Sequence, residues 1–237
     1  MILDISAKSL KSDSRAHERG KIRTGVAQAA DSLQGSDAEH KLQRRYGRTT
    51  SAHKFYRHQM LDYLNPLMCE FIARQEMMFV GTADQCGHAD ASFRGGAPGF
   101  VRVIDEKTLA YPEYRGNGVM ASLGNISDNP HVGLLFLDFT GDKIGLHVNG
   151  QARIVENGEL LASASAPRAI CDDIIMANGR RPERWVMVAV VEAYVHCSKH
   201  IPRMRKLESL QSEPDGGAKA GDYFKAKASP RTDSSLV

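Results

Sequence analysis

Between residues 77 and 197 the sequence consists of short β-rich runs separated by turn signals, and this pattern constrains the fold more than any other feature. The runs lie at 77–83, 88–93, 100–104, 108–111, 131–139, 143–155 and 185–197. The first four pair as two predicted hairpins. Strands do not alternate with long helices, so the sequence excludes a parallel α/β sheet. Six or seven strands with a few short helices predict a mainly β, α+β fold built on a closed or split barrel.

Three local signals refine this prediction. Apolar residues recur at helical spacing over 60–75, and Asn65-Pro66 predicts a helix that begins at Pro66 with Asn65 as its cap. Residues 118–127 predict a short helix that ends before Asn129-Pro130. Gly150 lies inside a predicted strand, which indicates a bulge or a close backbone approach.

Composition divides the chain into three parts. Residues 1–36 predict a mobile N-terminal arm, 37–207 a single folded domain, and 208–237 a disordered tail that is poor in large aliphatic side chains. The 237 residues are 42% hydrophobic and 25% charged, as is ordinary for a globular protein, and the net charge of +3 does not require nucleic acid or an anionic membrane as a partner.

The cysteines and the apolar runs bear on the compartment. Four cysteines form no CxxC pair, and no apolar run is long enough to cross a bilayer. The N-terminus lacks the charged-then-apolar order of a secretory signal. We therefore expect free thiols and a cytoplasmic location without membrane contact.

Two loops place an arginine directly before glycine, 92-SFRGGAPGF-100 and 111-YPEYRGNG-118. The chain contains neither GxGxxG nor GxxxxGK[ST], so the two common nucleotide fingerprints are absent. Arg115 and Asn117 immediately precede a predicted helix, whose unpaired N–H groups suit a phosphate. The alternative is an Asn-capped helix after a glycine turn, with Arg115 in water. The residues alone leave both interpretations open.

Other clusters give weaker signals. The segment 196-HCSKH-200 contains two histidines and a cysteine, but no acidic residue intervenes and the sequence predicts no metal site. It is equally compatible with a basic cluster that meets an anionic ligand and with a plain surface cluster. Basic and aromatic residues alternate in segment 41–57, which is typical of an amphipathic helix and, less often, of a nucleic-acid surface. No acid/base pair or nucleophile elbow is visible, so catalytic residues are not assigned.

Taken in order, the segments 76–118, 131–139, 145–155 and 197-CSKHIPR-203 resemble the pyridoxamine 5′-phosphate oxidase-related flavoproteins. The resemblance is to a branch with an RGG-PGF loop, an RGN loop and a Cys-x-x-His-Ile segment, and it runs from about residue 40 to 207. It implies an FMN-binding split β-barrel with flanking short helices. The substrate signature of true pyridoxamine phosphate oxidases is not recognisable, so the substrate stays unassigned.

The resemblance also implies a homodimer that binds FMN between its subunits. Arg115, Asn117 and Gly118 would hold the phosphate, and Arg94 would join them. Ser92, Phe93 and Gly95 would line the isoalloxazine ring, largely through their backbone. Lys199 and His200 would reach the flavin or the substrate from the partner subunit.

The leading functional hypothesis is therefore an FMN-dependent oxidoreductase that acts on a small molecule, with NADH or NADPH as a possible electron donor. A flavin or haem binder without turnover, such as a sensor or carrier, is the second hypothesis, and a deazaflavin in place of FMN remains open. A nucleic-acid binder acting through segment 41–57 is the third.

Overall fold

The computed structural model describes residues 34–176 and 181–206. The predicted arm, apart from residues 34–36, and the predicted tail lie outside these ranges. The chain divides into two compact units, residues 1–53 and 54–237.

The described part of the first unit is helical. Helix α1 (Asp37–Arg45) begins with a capping box, in which the Glu39 N–H donates to Ser36 Oγ at 3.2 Å and the Ser36 N–H donates to Glu39 Oε2 at 2.6 Å. Acidic residues in its first turn and arginines in its last complement the helix dipole. Helix α2 (Thr49–Gln59) follows and continues into the second unit. Segment 41–57 is thus largely helical, as the alternation of basic and aromatic residues predicts.

The second unit is built on one antiparallel sheet. Its strands are β1 (Met60–Leu61), β2 (Met77–Ala83), β3 (Ala89–Gly95), β4 (Arg102–Asp105), β5 (Thr108–Glu113), β6 (His131–Leu137), β7 (Gly145–Glu156) and β8 (Arg184–His196). Its remaining helices are α3 (Pro66–Ala73), α4 (Ala121–Asp128), α5 (Asn157–Ala162) and α6 (Arg168–Met176). The strand order is β3-β2-β6-β7-β8-β5-β4, and β1 pairs with β8. Both predicted hairpins are present, as β2–β3 and β4–β5.

The sheet curls into a split barrel. In the hydrogen-bonded order β3 and β5 are separated by four strands, yet Arg94 of β3 lies 2.8 Å from Glu113 of β5. The edge strands β3 and β4 do not pair with each other in the described ranges, so the barrel stays open on that side. The predicted mainly β, α+β split barrel is confirmed.

Inward-facing side chains of alternate strand positions fill the barrel. The largest strand residues of this core are Met78, Val80, Leu109, Tyr111, Leu134, Phe136, Leu146, Val148, Val186 and Val188. A second core lies on the opposite face of β7 and β8, where α5 and α6 pack Leu160, Ile170 and Ile174 against Trp185. The described residues form no helix that is both long and apolar enough to cross a membrane.

The predicted irregularity at Gly150 is confirmed. Asn149 pairs with Glu192 and Gly150 pairs with Val190, so Val191 has no partner on β7. The close backbone approach is present as well, because a Cβ on Gly150 would lie 2.3 Å from the Ala189 carbonyl oxygen.

One helix prediction is confirmed and another needs correction. Helix α3 begins at Pro66 as predicted, whereas the helical spacing upstream of it does not form a helix, because Met60–Leu61 pairs with β8 as a short strand. The predicted cap is present there, since Asn65 Oδ1 accepts from the Met68 N–H at 2.9 Å. Helix α4 begins three residues later than predicted, because Gly118 and Met120 both have positive φ, at 83° and 54°.

Candidate functional site

Both Arg-Gly loops open into one groove of about 1210 Å³. Its walls come from the end of β3, the end of β5, the loop after β5, the first turn of α4 and the start of β8. The lining includes seven residues predicted to bind a cofactor: Ser92, Phe93, Arg94, Gly95, Arg115, Asn117 and Gly118. The two loops are close in space because β3 and β5 approach each other where the barrel curls.

The first loop forms the end of an edge strand. Phe93 is 58% exposed and meets Phe79 edge-on at a centroid distance of 5.9 Å. Gly96 is required here, because a Cβ on it would lie 2.5 Å from the Cβ of Phe100. Within residues 34–176 and 181–206, β3 pairs with a neighbour only on its β2 side, so no described strand occupies its other backbone edge, which can meet a ligand in the groove.

Arg94 of the first loop is engaged in a largely buried ion pair. Its Nε donates to Glu113 Oε1 at 2.8 Å, and its Nη1 donates to the Phe93 carbonyl oxygen at 3.1 Å. The two side chains are 19% and 11% exposed. Burial raises the pKa of the Glu113 carboxyl, and the Arg94 guanidinium partly offsets this rise. Arg94 therefore links β3 to β5, and the Glu113 carboxylate balances its charge. Its predicted contact with the cofactor stays a prediction.

A buried tyrosine lies beside this ion pair. The Tyr111 hydroxyl is buried and has no hydrogen-bond partner among the described residues. Burial raises the pKa of this phenol, and the nearby Glu113 carboxylate raises it further. Tyr111 therefore stays neutral and belongs to the barrel core beneath the groove.

In the second loop Arg115 is exposed, and no carboxylate in the described ranges lies within ion-pair distance of it. The Val119 N–H donates to Asn117 Oδ1 at 3.0 Å, so Asn117 shapes the turn before the helix instead of capping it. The residue before α4 is Met120, which gives no side-chain cap. The helix start on the groove wall consequently keeps its first N–H groups free of side-chain acceptors.

Two hydroxyls and a carboxylate form a triangle on the groove wall. The Ser92 and Ser122 Oγ atoms are 3.0 Å apart, and they lie 3.0 Å and 3.2 Å from Asp90 Oδ2. The triangle joins β3 to the first turn of α4. Sequence reasoning missed Asp90, Ser122 and also Arg184, which enters the groove from β8. No local motif marks these three residues, since tertiary contacts alone bring them together.

Lys199 and His200 lie elsewhere. They are exposed, follow the end of β8 and do not line the groove. His200 has a φ of 70°, and the Lys199 N–H donates to Cys197 Sγ at 3.4 Å. Their predicted contribution to a partner subunit's site stays a prediction.

One row of cross-strand partners crosses the outer face of the sheet. This row, called the aromatic row below, consists of Phe93, Phe79, Leu135, His147 and Tyr194. His147 stacks on Tyr194 at a centroid distance of 4.7 Å, and its Nε2 lies 2.8 Å from His196 Nδ1. Phe79 is 38% exposed. Because Phe93 lies in both features, the aromatic row is continuous with the groove.

Comparison with known proteins gives one family and a set of similar folds. The pyridoxamine 5′-phosphate oxidase family model matches residues 64–197. The comparison with curated proteins gives no match.

Similar solved structures include a HupZ protein of Group A Streptococcus, at 21% identity and a TM-score of 0.42 over 55% of this chain and 92% of that one. An FMN-binding protein from Syntrophomonas wolfei gives 10% identity and a TM-score of 0.39 over 68% and 97% of the two chains. HutZ, a heme storage protein from Vibrio cholerae, gives 14% and 0.35 over 56% and 94%. The family match spans more than half of the chain and includes both Arg-Gly loops, and the protein therefore belongs to the pyridoxamine 5′-phosphate oxidase family.

Proposed function

We propose that this protein is an FMN-binding flavoprotein, an oxidoreductase that acts on a small molecule and works as a homodimer. One observation carries the proposal. Among the described residues, a single groove contains an arginine without an acidic partner, a helix start without a side-chain cap and the unpaired edge of a β-strand. The family match agrees with it.

The charges of the groove fit a flat ring with a dianionic tail. Arg115 supplies a planar donor whose charge no carboxylate of the described ranges neutralises. The start of α4 adds N–H groups and a partial positive charge. Asn117 uses its oxygen in the turn, which leaves its amide NH₂ to donate. We assign Arg115, Asn117 and Gly118 to the phosphate end of the cofactor.

The other end of the groove fits the ring. Ser92, Phe93 and Gly95 offer the backbone of an edge strand, which can pair with the polar edge of a flavin. FMN, when bound, supplies the electron-transfer chemistry. The chain's own part is to orient the ring and hold the tail, and the Arg94–Glu113 pair fixes the two strands that do so. Ligand sites commonly measure about 300–1,000 Å³. The groove is somewhat larger, which leaves room for a substrate beside the cofactor.

The aromatic row supports the homodimer. Large apolar side chains exposed on a sheet face are typical of a surface that another protein covers. Because the row ends in the groove at Phe93, a second copy seated on it would cover the groove. That arrangement would allow Lys199 and His200 to reach the partner's site.

The first experiment identifies the cofactor. The protein is purified without added ligand and denatured, and the absorption spectrum and mass of the released molecule are recorded. FMN is expected, whereas a deazaflavin or haem would change the cofactor assignment within the same groove. Since a ligand that binds only the native state raises the melting temperature, added FMN should also stabilise the apoprotein. A colourless protein with no stabilisation by FMN would contradict the proposal.

The second experiment tests the residue assignment. Arg115→Ala should raise the Kd for FMN by about 10- to 150-fold, because hydrogen bonds to charged groups contribute about 1.5–3 kcal/mol. The melting temperature of the apoprotein should stay unchanged, because the Arg115 side chain is exposed and forms no hydrogen bond or ion pair with the residues that the structure describes. Arg168→Ala removes the same charge at an exposed site on α6 and serves as the control. Equal affinities for the two variants would remove Arg115 from the site.

The third experiment separates an enzyme from a binder. Stopped-flow mixing with NADH or NADPH should bleach the flavin absorbance if the protein is a reductase. If neither nicotinamide donor bleaches it, a carrier or sensor function replaces the oxidoreductase.

A further inference from the structure

The turn between β2 and β3 gathers three side chains that metal ions use as ligands. Asp84, Cys86 and His88 occur at every second position, and a carboxylate oxygen, the thiol sulfur and a ring nitrogen all lie within 4.8 Å of one another. The turn itself is tight. The Gly87 N–H donates to the Asp84 carbonyl oxygen at 3.0 Å, and the Asp84 N–H donates to the His88 carbonyl oxygen at 3.2 Å.

The carboxylate is oriented by the turn. Asp84 Oδ1 accepts from the backbone N–H groups of Cys86 and His88, at 2.8 Å and 2.9 Å. The second oxygen, Oδ2, lies 2.8 Å from His88 Nδ1. One oxygen therefore holds the side chain in place while the other faces the imidazole. The fold therefore orients the carboxylate before any ion arrives, which lowers the cost of binding.

The distances suit a tetrahedral ion after a small adjustment. Bond lengths of about 2.0–2.3 Å to nitrogen, oxygen and sulfur place neighbouring ligand atoms about 3.3–3.7 Å apart. The Asp84–His88 contact must then open by about 0.5–1 Å. The His88 side chain is 83% exposed and can rotate without displacing packed neighbours.

We propose that Asp84, Cys86 and His88 bind a divalent transition-metal ion of the zinc class. A thiolate together with an imidazole and a carboxylate disfavours Mg²⁺ and Ca²⁺, which take oxygen ligands, and favours Zn²⁺, Co²⁺ or Ni²⁺. Metal ions bind cysteine as the thiolate and histidine as the neutral imidazole, so affinity for the ion rises with pH. Three protein ligands leave a fourth position for water or for a ligand from outside.

The site is independent of the groove. None of the three residues lines it, and the turn lies at the Ala89 end of β3, opposite the first Arg-Gly loop. A test of metal binding therefore does not depend on whether the protein binds FMN.

Cobalt reports on this site directly. Untagged protein is titrated with Co²⁺ alone under reducing conditions that contain no competing thiol. We expect a thiolate-to-cobalt charge-transfer band in the near ultraviolet that saturates at one equivalent and disappears on addition of Zn²⁺, which binds more tightly.

Variants identify the ligands. Cys86→Ser should abolish the band, and His88→Ala should weaken Co²⁺ binding by about tenfold or more. Asp84→Asn keeps the oxygen that accepts from the two backbone N–H groups, so it tests the carboxylate charge without dismantling the turn. Cys197→Ser removes another exposed thiol and should leave the titration unchanged. Absence of the band at one equivalent, or a band that survives Cys86→Ser, overturns the proposal.

Discussion

Removal of Arg94 should destabilise the protein strongly, because it leaves the Glu113 carboxylate buried without its partner. Breaking a buried ion pair from one side costs about 3–5 kcal/mol. Glu113 retains 11% exposure, and Arg184 also acts on its charge, so the lower end of that range applies. We expect Arg94→Ala to reduce the free energy of unfolding by about 3 kcal/mol at pH 7. Urea unfolding followed by tryptophan fluorescence measures this loss, since the single tryptophan lies in a buried core.

The cost should depend on pH with a definite sign. Burial already raises the folded-state pKa of Glu113 above its usual value, and losing Arg94 raises it further. A group with a raised folded pKa contributes its full stability below the unfolded pKa, and this contribution is lost as the pH rises through the folded pKa. The destabilisation by Arg94→Ala should therefore be about 1 kcal/mol or more smaller at pH 5 than at pH 7.

Matched variants separate the buried charge from the lost packing. Glu113→Gln leaves an oxygen that accepts from Arg94 but removes the counter-charge of this largely buried guanidinium, so it should cost about 1–3 kcal/mol. The double variant Arg94→Ala, Glu113→Gln should recover about half of the loss seen in Arg94→Ala, because no charge is then buried alone. A cost below about 1 kcal/mol for Arg94→Ala, or an equal cost at pH 5 and pH 7, would refute this reasoning.

Three further predictions follow from the packing and the outer face. Gly96→Ala forces a Cβ to 2.5 Å from a phenylalanine Cβ and should lower the free energy of unfolding by about 1–3 kcal/mol in urea titrations, whereas Gly158→Ala, with open space around it, should not destabilise. Phe79→Asp should shift the protein from dimer to monomer in light scattering after gel filtration, and an unchanged mass, or the same shift with Ile175→Asp on α6, would exclude the aromatic row as the interface. Burial and the neighbouring His196 lower the folded-state pKa of His147, so the stability that it contributes above the unfolded pKa of about 6.5 should be lost as the pH falls. In urea unfolding, His147→Gln should therefore reduce the decline in the free energy of unfolding between pH 7 and pH 5.5.

The sequence predicts the strands well because their signals are local. The conformations of turn residues such as Gly87, and of the Asn65-Pro66 cap, follow from sequence signals within a few residues. The predicted start of α4 is wrong because it depends on backbone conformation rather than on composition. The composition of residues 118–120 is compatible with a helix. The helix starts later because Gly118 and Met120 have positive φ, a conformation that methionine rarely adopts and that the sequence does not signal.

The candidate site also has a part that the sequence predicts and a part that it does not. The Arg-Gly loops are visible in the sequence, and their meeting in one groove depends on the curl of the barrel. The state of Arg94 could not be predicted, because its partner is 19 positions away on a strand that is not its neighbour in the sheet. The Asp84, Cys86 and His88 cluster was missed since its spacing is not that of a common zinc motif, and proximity appears only once the turn is built.

The unpaired Val191 determines whether the even-numbered or the odd-numbered residues of β8 face the barrel core. The residues of this strand that face the barrel core are even-numbered from Val186 to Val190, and after the extra residue Ala193 faces the core while Tyr194 turns toward the outer face. If Val191 paired with β7 in a regular ladder, without the bulge, every side chain that follows it would be inverted. Tyr194 and His196 would enter the barrel, and Ala193 and Val195 would replace them outside. The outer face of the sheet, with its stacked histidine, thus depends on the bulge at Val191 rather than on any contact that the Val191 side chain itself makes.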